Sequence, residues 1–371
     1  MSFDIYAQSI TFWILSTIVV VTFFVQLYYY LFVFRRAGLK KHRNISLEYN
    51  KEPVSVVICV KNEVDNLKEF LPLILEQDYP EYEIIIVNDN SEDDSVDLLE
   101  FTKTKYSYLH VRNLVANNTH GKSLVLGVGI KAAKYDNIIL TDSNCRPSTN
   151  WINALAAGFV NSKVQIGYTR HTGNKFIQTA NYFDALFLLG AKRPATGLVE
   201  NSGFKKDLFF DNNGFNSLIR KQDKVEQIFL NSVIDETNYS KNIHPFAITE
   251  SVLSVPFKDW YRDLLREIYS KRLFKKGTRW GKLPEIISRG TFYGALVAAM
   301  LLSKEISFLC ILAGIFMLRL LTQVLIFRYT QKAFGERKIL FRAIVWDLWS
   351  WILYLVAHMS FRSKNSLKYS N

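Results

Sequence analysis

Residues 5–34 (IYAQSITFWILSTIVVVTFFVQLYYYLFVF) carry no charged side chain. A helix crossing a bilayer needs only about 20 such residues, and in hydrocarbon every backbone polar group must be bonded within the helix. The run therefore assigns the chain to a membrane and excludes a soluble cytosolic enzyme. It is too long for a cleaved signal peptide, and no basic stretch precedes it. Apolar character returns at 286–303, breaks at Lys304-Glu305 and resumes at 306–327. This pattern predicts a tight helical hairpin with the charged pair at its outer turn. Arg319 falls in the inner half of the second limb, where a snorkelling side chain is expected to reach the cytoplasmic headgroups. A last apolar stretch, 344–361, contains Asp347, Trp346, Trp349, Trp351 and Tyr354. It reads as a fourth span or as an interfacial amphipathic helix. The basic tail after it (Arg362, Lys364, Lys368) favours the interfacial reading and a cytoplasmic C-terminus.

The formal charge of +12 invites a nucleic-acid reading, so its location decides the matter. Residues 35–43, 258–290 and 328–371 carry +5, +6 and +6, more than the chain's whole excess, so the remainder is net acidic. Basic residues confined to the flanks of apolar segments match cytoplasmic loops facing anionic lipid, and no nucleic-acid partner is expected. The positive-inside rule puts 35–43 in the cytoplasm, the N-terminus outside and the polar region 44–285 inside. The expected location is the cell membrane (the inner membrane in a bacterium), multi-pass, with the large domain cytoplasmic. Cys59, Cys145 and Cys310 form no CxxC pair, and the six histidines show no metal-ligand spacing, so neither zinc nor a disulfide framework is expected.

Four units follow: 1–43, a transmembrane helix with its basic flank; 44–257, a cytoplasmic domain; 258–285, a basic amphipathic interfacial segment; and 286–371, a C-terminal membrane region. Within the second unit strands alternate with helices. Strands are predicted at 53–60, 83–87, 108–111 and 137–140, with helices at 63–76, 93–104 and 122–134 between them. Short β-branched runs separated by helices of this length imply an α/β fold with a mostly parallel sheet and right-handed crossovers.

Ligands bind such sheets at the carboxyl ends of the strands. Those ends carry Asn62 and Glu63, then Asp89, then Asp142 with Asn144. Acidic groups there suit a divalent cation bridging to a diphosphate, or the hydroxyls and base edges of a nucleoside. Two competing phosphate motifs fail. Gly121-Lys122-Ser123 resembles the end of a P-loop, but the required first glycine falls on Ala116. Gly127-Val128-Gly129-Ile130-Lys131-Ala132 has the form GxGxxA without an adequate preceding strand, so its glycines belong on a helix that packs closely.

Taken together, PVSVVICVKNEVDNLKEFLPLILEQDYPEYEIIIVNDNSEDDS and GKSLVLGVGIKAAKYDNIILTDSNCRPSTNWI closely resemble the N-terminal half of membrane-bound family 2 glycosyltransferases. The likeness covers about residues 51–275. It implies a GT-A fold, a Rossmann-like nucleotide-diphospho-sugar transferase domain, and inverting transfer from a nucleotide sugar. A UDP-sugar donor, a lipid-linked or cell-envelope glycan acceptor and a divalent metal (magnesium or manganese) are the partners it implies. By position, Asn62, Glu63 and Asp89 line the nucleoside pocket, Lys122 shapes the nucleotide site and Asp142 is the first aspartate of the family's DxD. Asn201 matches an acceptor-region asparagine.

Three motifs depart from the family's pattern. The second aspartate of DxD is Asn144, which keeps a ligand oxygen for the metal and loses a charge. Where an acidic GDD-type motif is usual, Glu226 is followed by Gln227. Glu226 is then the first candidate for the base, and Asp223, three residues earlier, is the second. In place of W-x-x-Q-x-x-R the chain has Trp260, Asp263 and Arg266, so Arg266 is left as the diphosphate-gripping candidate beside Trp260 of the acceptor region. This erosion leaves open a catalytically degenerate scaffold or partner subunit. The incomplete motif also favours transfer of single sugars over processive synthesis.

Overall fold

A computed structural model describes residues 9–44, 46–47, 52–114, 121–192, 200–215, 224–253, 255–275 and 282–363. In chain order the strands are β1 (Val54–Val60), β2 (Tyr82–Asp89), β3 (Leu109–Leu114), β4 (Asn137–Asp142), β5 (Cys145–Arg146), β6 (Val164–Ile166), β7 (Thr169–Gly173), β8 (Asn201–Lys205), β9 (Tyr239–Lys241) and β10 (Thr249–Leu253). Seven of them form a sheet in the order β3-β2-β1-β4-β8-β6-β9, and β5-β10-β7 form a second. The first four strands of the large sheet run parallel. β8 then pairs antiparallel with both β4 and β6. The mostly parallel α/β sheet expected from the sequence is thus present, with one reversed strand inserted.

The apolar runs of β1 and β2 are continuous because both faces of the sheet are covered. Val57, Ile85 and Val87 pack on one side with Val125 and Ile130 of the helix Lys122–Ala132. Val56, Ile58, Ile84 and Ile86 pack on the other with Leu67, Leu71 and Ile74 of the helix Val64–Leu75. Gly129 lets the first of these helices approach the sheet: a Cβ there would lie 2.4 Å from Val57 Cγ1. The GxGxxA stretch is therefore a packing device on a helix.

Among the described residues four helices are long and apolar enough to cross a membrane: Ile10–His42, Leu283–Leu302, Ile306–Ala333 and one beginning at Leu340 that continues to Ser363. The break at 303–305 falls on the predicted turn. Leu283–Leu302 nevertheless packs principally along the first helix, with Phe292, Ala295 and Ala299 against Phe12, Val19 and Phe23.

Two expectations change here. Arg319 does not snorkel; it is 1% exposed and donates through Nη2 to Asp347 Oδ2 at 2.9 Å. The reason lies 28 residues further on. Asp347, itself fully buried, also accepts from Arg289 Nη1 at 3.2 Å and Tyr293 Oη at 2.7 Å. A buried guanidinium satisfied by a carboxylate has no reason to reach for headgroups. The second change follows from the first. With Asp347 turned inward, the last helix packs as a member of the bundle. The connection between the third and fourth helices touches the sheet domain, where Tyr168 Oη donates to Glu336 Oε1 at 2.6 Å.

Candidate active site

β1, β2 and β4 end at the same edge of the sheet, and their register aligns Cys59 with both Val87 and Asp142. Asp89 closes β2 two residues beyond Val87. A cleft of about 300 Å³ opens at this edge, lined by Cys59, Lys61, Glu63, Asp89, Lys122, Asp142, Ser143 and Asn144. Four residues singled out above as strand-end or nucleotide-site candidates thus meet around one space with Asn144.

Lys122 begins its helix and donates from Nζ to Asp142 Oδ1 at 3.0 Å. Burial opposes its charge, but the carboxylates of Asp142 and Glu226 prevail and hold the ammonium above its usual range. Lys61 Nζ stands 3.7 Å from Asp89 Oδ2. Asn62 adopts φ +54°, which asparagine tolerates better than most residues. It does not line the cleft. Its N–H donates to Ser91 Oγ at 2.9 Å and its Oδ1 accepts from Glu92 N at 2.7 Å, tying the loop after β1 to the loop after β2. Glu63 is held by the same junction, its N–H donating to Ser95 Oγ at 3.1 Å.

Asp142 and Asn144 flank Ser143 in the turn after β4. Among the described residues no three His, Cys, Asp or Glu side chains form a ready-made cage for a metal. One carboxylate and one amide oxygen, with Asp89 across the cleft, instead suit a magnesium or manganese ion that completes its shell with substrate phosphates and water. The donor set fits such an ion.

Glu226 lies in the first turn of the helix Val225–Val233, preceded by Lys224 at φ +66°. It is 5% exposed, and its Oε2 is buried without a hydrogen-bond partner among the described residues. Its charge bears on Lys122 and Cys59, so it stands beside the cleft. Gln227 is buried too, at 6% exposure. Asp223 lies outside the described residues.

The remaining candidates sit elsewhere. Asn201 is fully buried: its Nδ2 donates to the carbonyls of Tyr168 and Ala247, and its Oδ1 accepts from Trp151 Nε1 at 3.0 Å. Its amide holds the fold together. Trp260 packs edge-on to Phe176 at 4.9 Å, a ring that also meets Trp346 of the fourth helix. Arg266 donates to Asp263 Oδ1 at 3.3 Å on an exposed helix face, and neither Trp260 nor Arg266 lines the cleft.

Sequence reading missed Lys61, and also His171 with Glu200. β10 brings His171 level with Cys145, since both register with Ser251. His171 Nε2 is 3.8 Å from Glu200 Oε2. Burial pushes the imidazole down while Glu200 and Asp142 pull it back up. Its partners lie 29 residues on either side or beyond, so no short motif announces it.

A mostly parallel sheet with one reversed strand, an acidic strand-end cleft and a lysine at the first turn of the crossover helix are features of the GT-A fold. Residues 55–224 match the model of glycosyl transferase family 2. The chain is similar to the mannosyltransferase PcManGT from Pyrobaculum calidifontis, with a TM-score of 0.58 and 18% identity over 91% of this chain and 99% of that one. At that identity the likeness concerns the fold. Among curated proteins it is similar to a poly-beta-1,6-N-acetyl-D-glucosamine synthase of Staphylococcus epidermidis, 31% identical over 120 residues. That stretch covers 31% of this chain and 27% of the relative. Glycosyltransferase AglE of Haloferax volcanii is 28% identical over 27% of this chain and 33% of that protein.

Proposed function

We propose that the chain transfers a sugar, with inversion, from a nucleotide-sugar donor to a lipid-linked or cell-envelope glycan at the cytoplasmic face of a membrane. The observation carrying this reading is the convergence of Asp89, Lys122 and Asp142 on one cleft, with buried Glu226 beside it, whose Oε2 has no hydrogen-bond partner among the described residues. Groups with no packing task, held at a cost, are the mark of a site.

In this reading the cleft holds the nucleoside diphosphate of a UDP-sugar. The acceptor hydroxyl attacks the anomeric carbon, the bond from that carbon to the diphosphate oxygen breaks, and the hydroxyl proton passes to Glu226. Lys122 turns its ammonium from Asp142 towards the charge growing on the diphosphate. A divalent ion held by Asp142 and Asn144 would supply further charge neutralisation there. The solved relative from Pyrobaculum calidifontis was captured with GDP-Man and Mn2+, which supports nucleotide and metal binding in this fold. Arg266 is engaged by Asp263, which favours single-sugar transfer over processive synthesis. The four apolar helices and the basic flank 35–43 support a multi-pass protein with the sheet domain in the cytoplasm.

A second reading, a membrane scaffold of the same fold with lost catalysis, is favoured by the exchange of an acid for Asn144 and by Asp142 being occupied by Lys122. Membranes carrying the wild-type chain or Glu226→Gln, supplied with radiolabelled UDP-sugars, separate the two. Label entering a lipid or glycan fraction with the wild type alone supports transfer. Equal labelling by both chains removes Glu226 as the base.

A further inference from the structure

Within the first apolar segment the helix is broken at Gly38, before a short turn at Lys40–His42, and the missing side chain lets the chain turn against the third helix. A Cβ at Gly38 would lie 2.9 Å from Tyr329 Cε1. Tyr329 Oη donates to the Gly38 carbonyl at 2.7 Å, fixing this turn to the helix Ile306–Ala333. Next to the junction lies an open groove of about 590 Å³, lined by Arg35, Leu39, Lys40, Lys41 and Tyr329. Its surface is apolar and three of its five lining residues are cations. Arg35, Lys40 and Lys41 make no ion pair or hydrogen bond through their side chains among the described residues. The groove sits where two membrane helices emerge on the side of the sheet domain, and the connection to that domain is direct. His42 O accepts from Ile243 N at 2.8 Å, just past β9.

Positive charge accumulates around this turn: Arg35, Arg36, Lys40, Lys41 and Lys241 lie close together. Lys241, at the end of β9, is 4% exposed. Burial foremost, then Arg36 and Lys41, push its ammonium down to about 7. A concave surface with an apolar floor and, among the described residues, unpaired cations at the end of an apolar helix matches one amphiphile, an anionic phospholipid. Its acyl chain would lie on Leu39 and the ring of Tyr329, and its phosphate between Arg35, Lys40 and Lys41. The geometry points to a specific anionic-phospholipid site in this groove, which would anchor the edge strand of the catalytic sheet to the cytoplasmic leaflet. The site is separate from the strand-end cleft, and its existence does not depend on catalysis.

The test is lipid retention by the full chain, purified in neutral detergent, equilibrated with an equal mixture of phosphatidylglycerol and phosphatidylcholine and read by native mass spectrometry. The wild type retains phosphatidylglycerol in preference. The triple variant Arg35→Ala/Lys40→Ala/Lys41→Ala loses affinity on the order of a hundredfold, as expected for three basic residues near an anionic surface. Lys40→Glu/Lys41→Glu, which changes two exposed residues and leaves the helix junction untouched, loses retention as well. Lys68→Ala/Lys103→Ala/Lys105→Ala, with the same loss of charge on the sheet domain, retains the lipid as the wild type does. Equal retention in the groove and control variants, or equal retention of the two lipids by the wild type, overturns the site. Displacement of phosphatidylglycerol by inorganic phosphate overturns it in favour of a free-anion site.

Discussion

Lys122 Nζ lies 3.0 Å from Asp142 Oδ1, joining the first turn of a helix to the end of β4 across 20 residues of sequence. Both side chains stay partly open to the cleft, with 45% and 28% of their surface exposed. The pair is therefore accessible to a ligand, and in the proposed reading an exchange of its partners accompanies donor binding. Replacing Lys122 by Met removes a charged donor to the diphosphate. In metal-free buffer this is expected to weaken UDP binding about tenfold or more, measured by calorimetry. Undiminished affinity would mean that the ammonium serves only to hold Asp142.

Asn144→Asp restores a second carboxylate beside Asp142. Manganese affinity in the presence of UDP is expected to rise by about tenfold, because affinity in such sites follows the number of charged ligands. The check is a manganese titration followed by electron paramagnetic resonance. No change would place the ion away from this turn.

Glu226 keeps a carboxylate oxygen buried and, among the described residues, unpartnered, a cost to the fold. Glu226→Leu is expected to raise stability by about 1–2 kcal/mol while stopping transfer, the trade-off typical of a functional group held in an unfavourable place. Thermal melting and labelled-sugar transfer on the same preparation read both effects. A variant that loses stability would show Glu226 to be a structural residue.

The bundle contains a second set of linked charges. Asp347 serves both Arg319 and Arg289, whereas Arg319 also bonds Tyr293, Tyr30 and Gln26. Asp347→Leu leaves buried Arg319 without a carboxylate and Arg289 with Glu285 alone at 3.5 Å, and is expected to cost about 3–5 kcal/mol. Arg319→Leu leaves Asp347 paired with Arg289 and should cost less. Unfolding in detergent ranks the two, and the reverse order would contradict the shared-carboxylate arrangement.

Lys241 makes stability depend on pH. Its folded value of about 7 lies below the ordinary 10.5, so between these limits the unfolded chain binds more protons and stability rises with pH. The penalty is fully present below pH 7 and fades towards pH 10.5. Lys241→Met is expected to be more stable than the wild type at pH 6 by about 2 kcal/mol, with the gap closing as pH rises. Melting curves in neutral detergent across that range provide the comparison. A gap that widens with pH would show Lys241 to be charged and satisfied.

The parallel half of the sheet was legible because residues covered on both faces leave unbroken apolar runs, as at Val56–Ile58 and Ile84–Val87, each ending in polar residues. Asp89 and Asp142 were legible as neighbours because strand ends converge by topology, whereas Lys122, on a helix, was named only through the resemblance. Asn62 was harder. Its strand-end position suggested a ligand contact, yet its amide joins two loops. Asn201 and Trp260 matched family positions in register, but register carries no information on burial. Arg319 was misread since its partner lies a helix away, and a charge in an apolar run was judged singly. Lys61 and His171 had no signal: each gains its place from a neighbour set by the tertiary fold.

The central claim is that the strand-end cleft is a donor site built on Asp142. UDP binding to the purified wild-type chain and to Asp142→Ala, by calorimetry with and without manganese, tests it most directly. The account predicts binding strengthened by manganese in the wild type and a loss of that manganese-dependent binding in the variant. Equal binding by both chains would contradict the assignment of Asp142, and absence of binding to UDP, then to GDP and other nucleotides, would favour the scaffold.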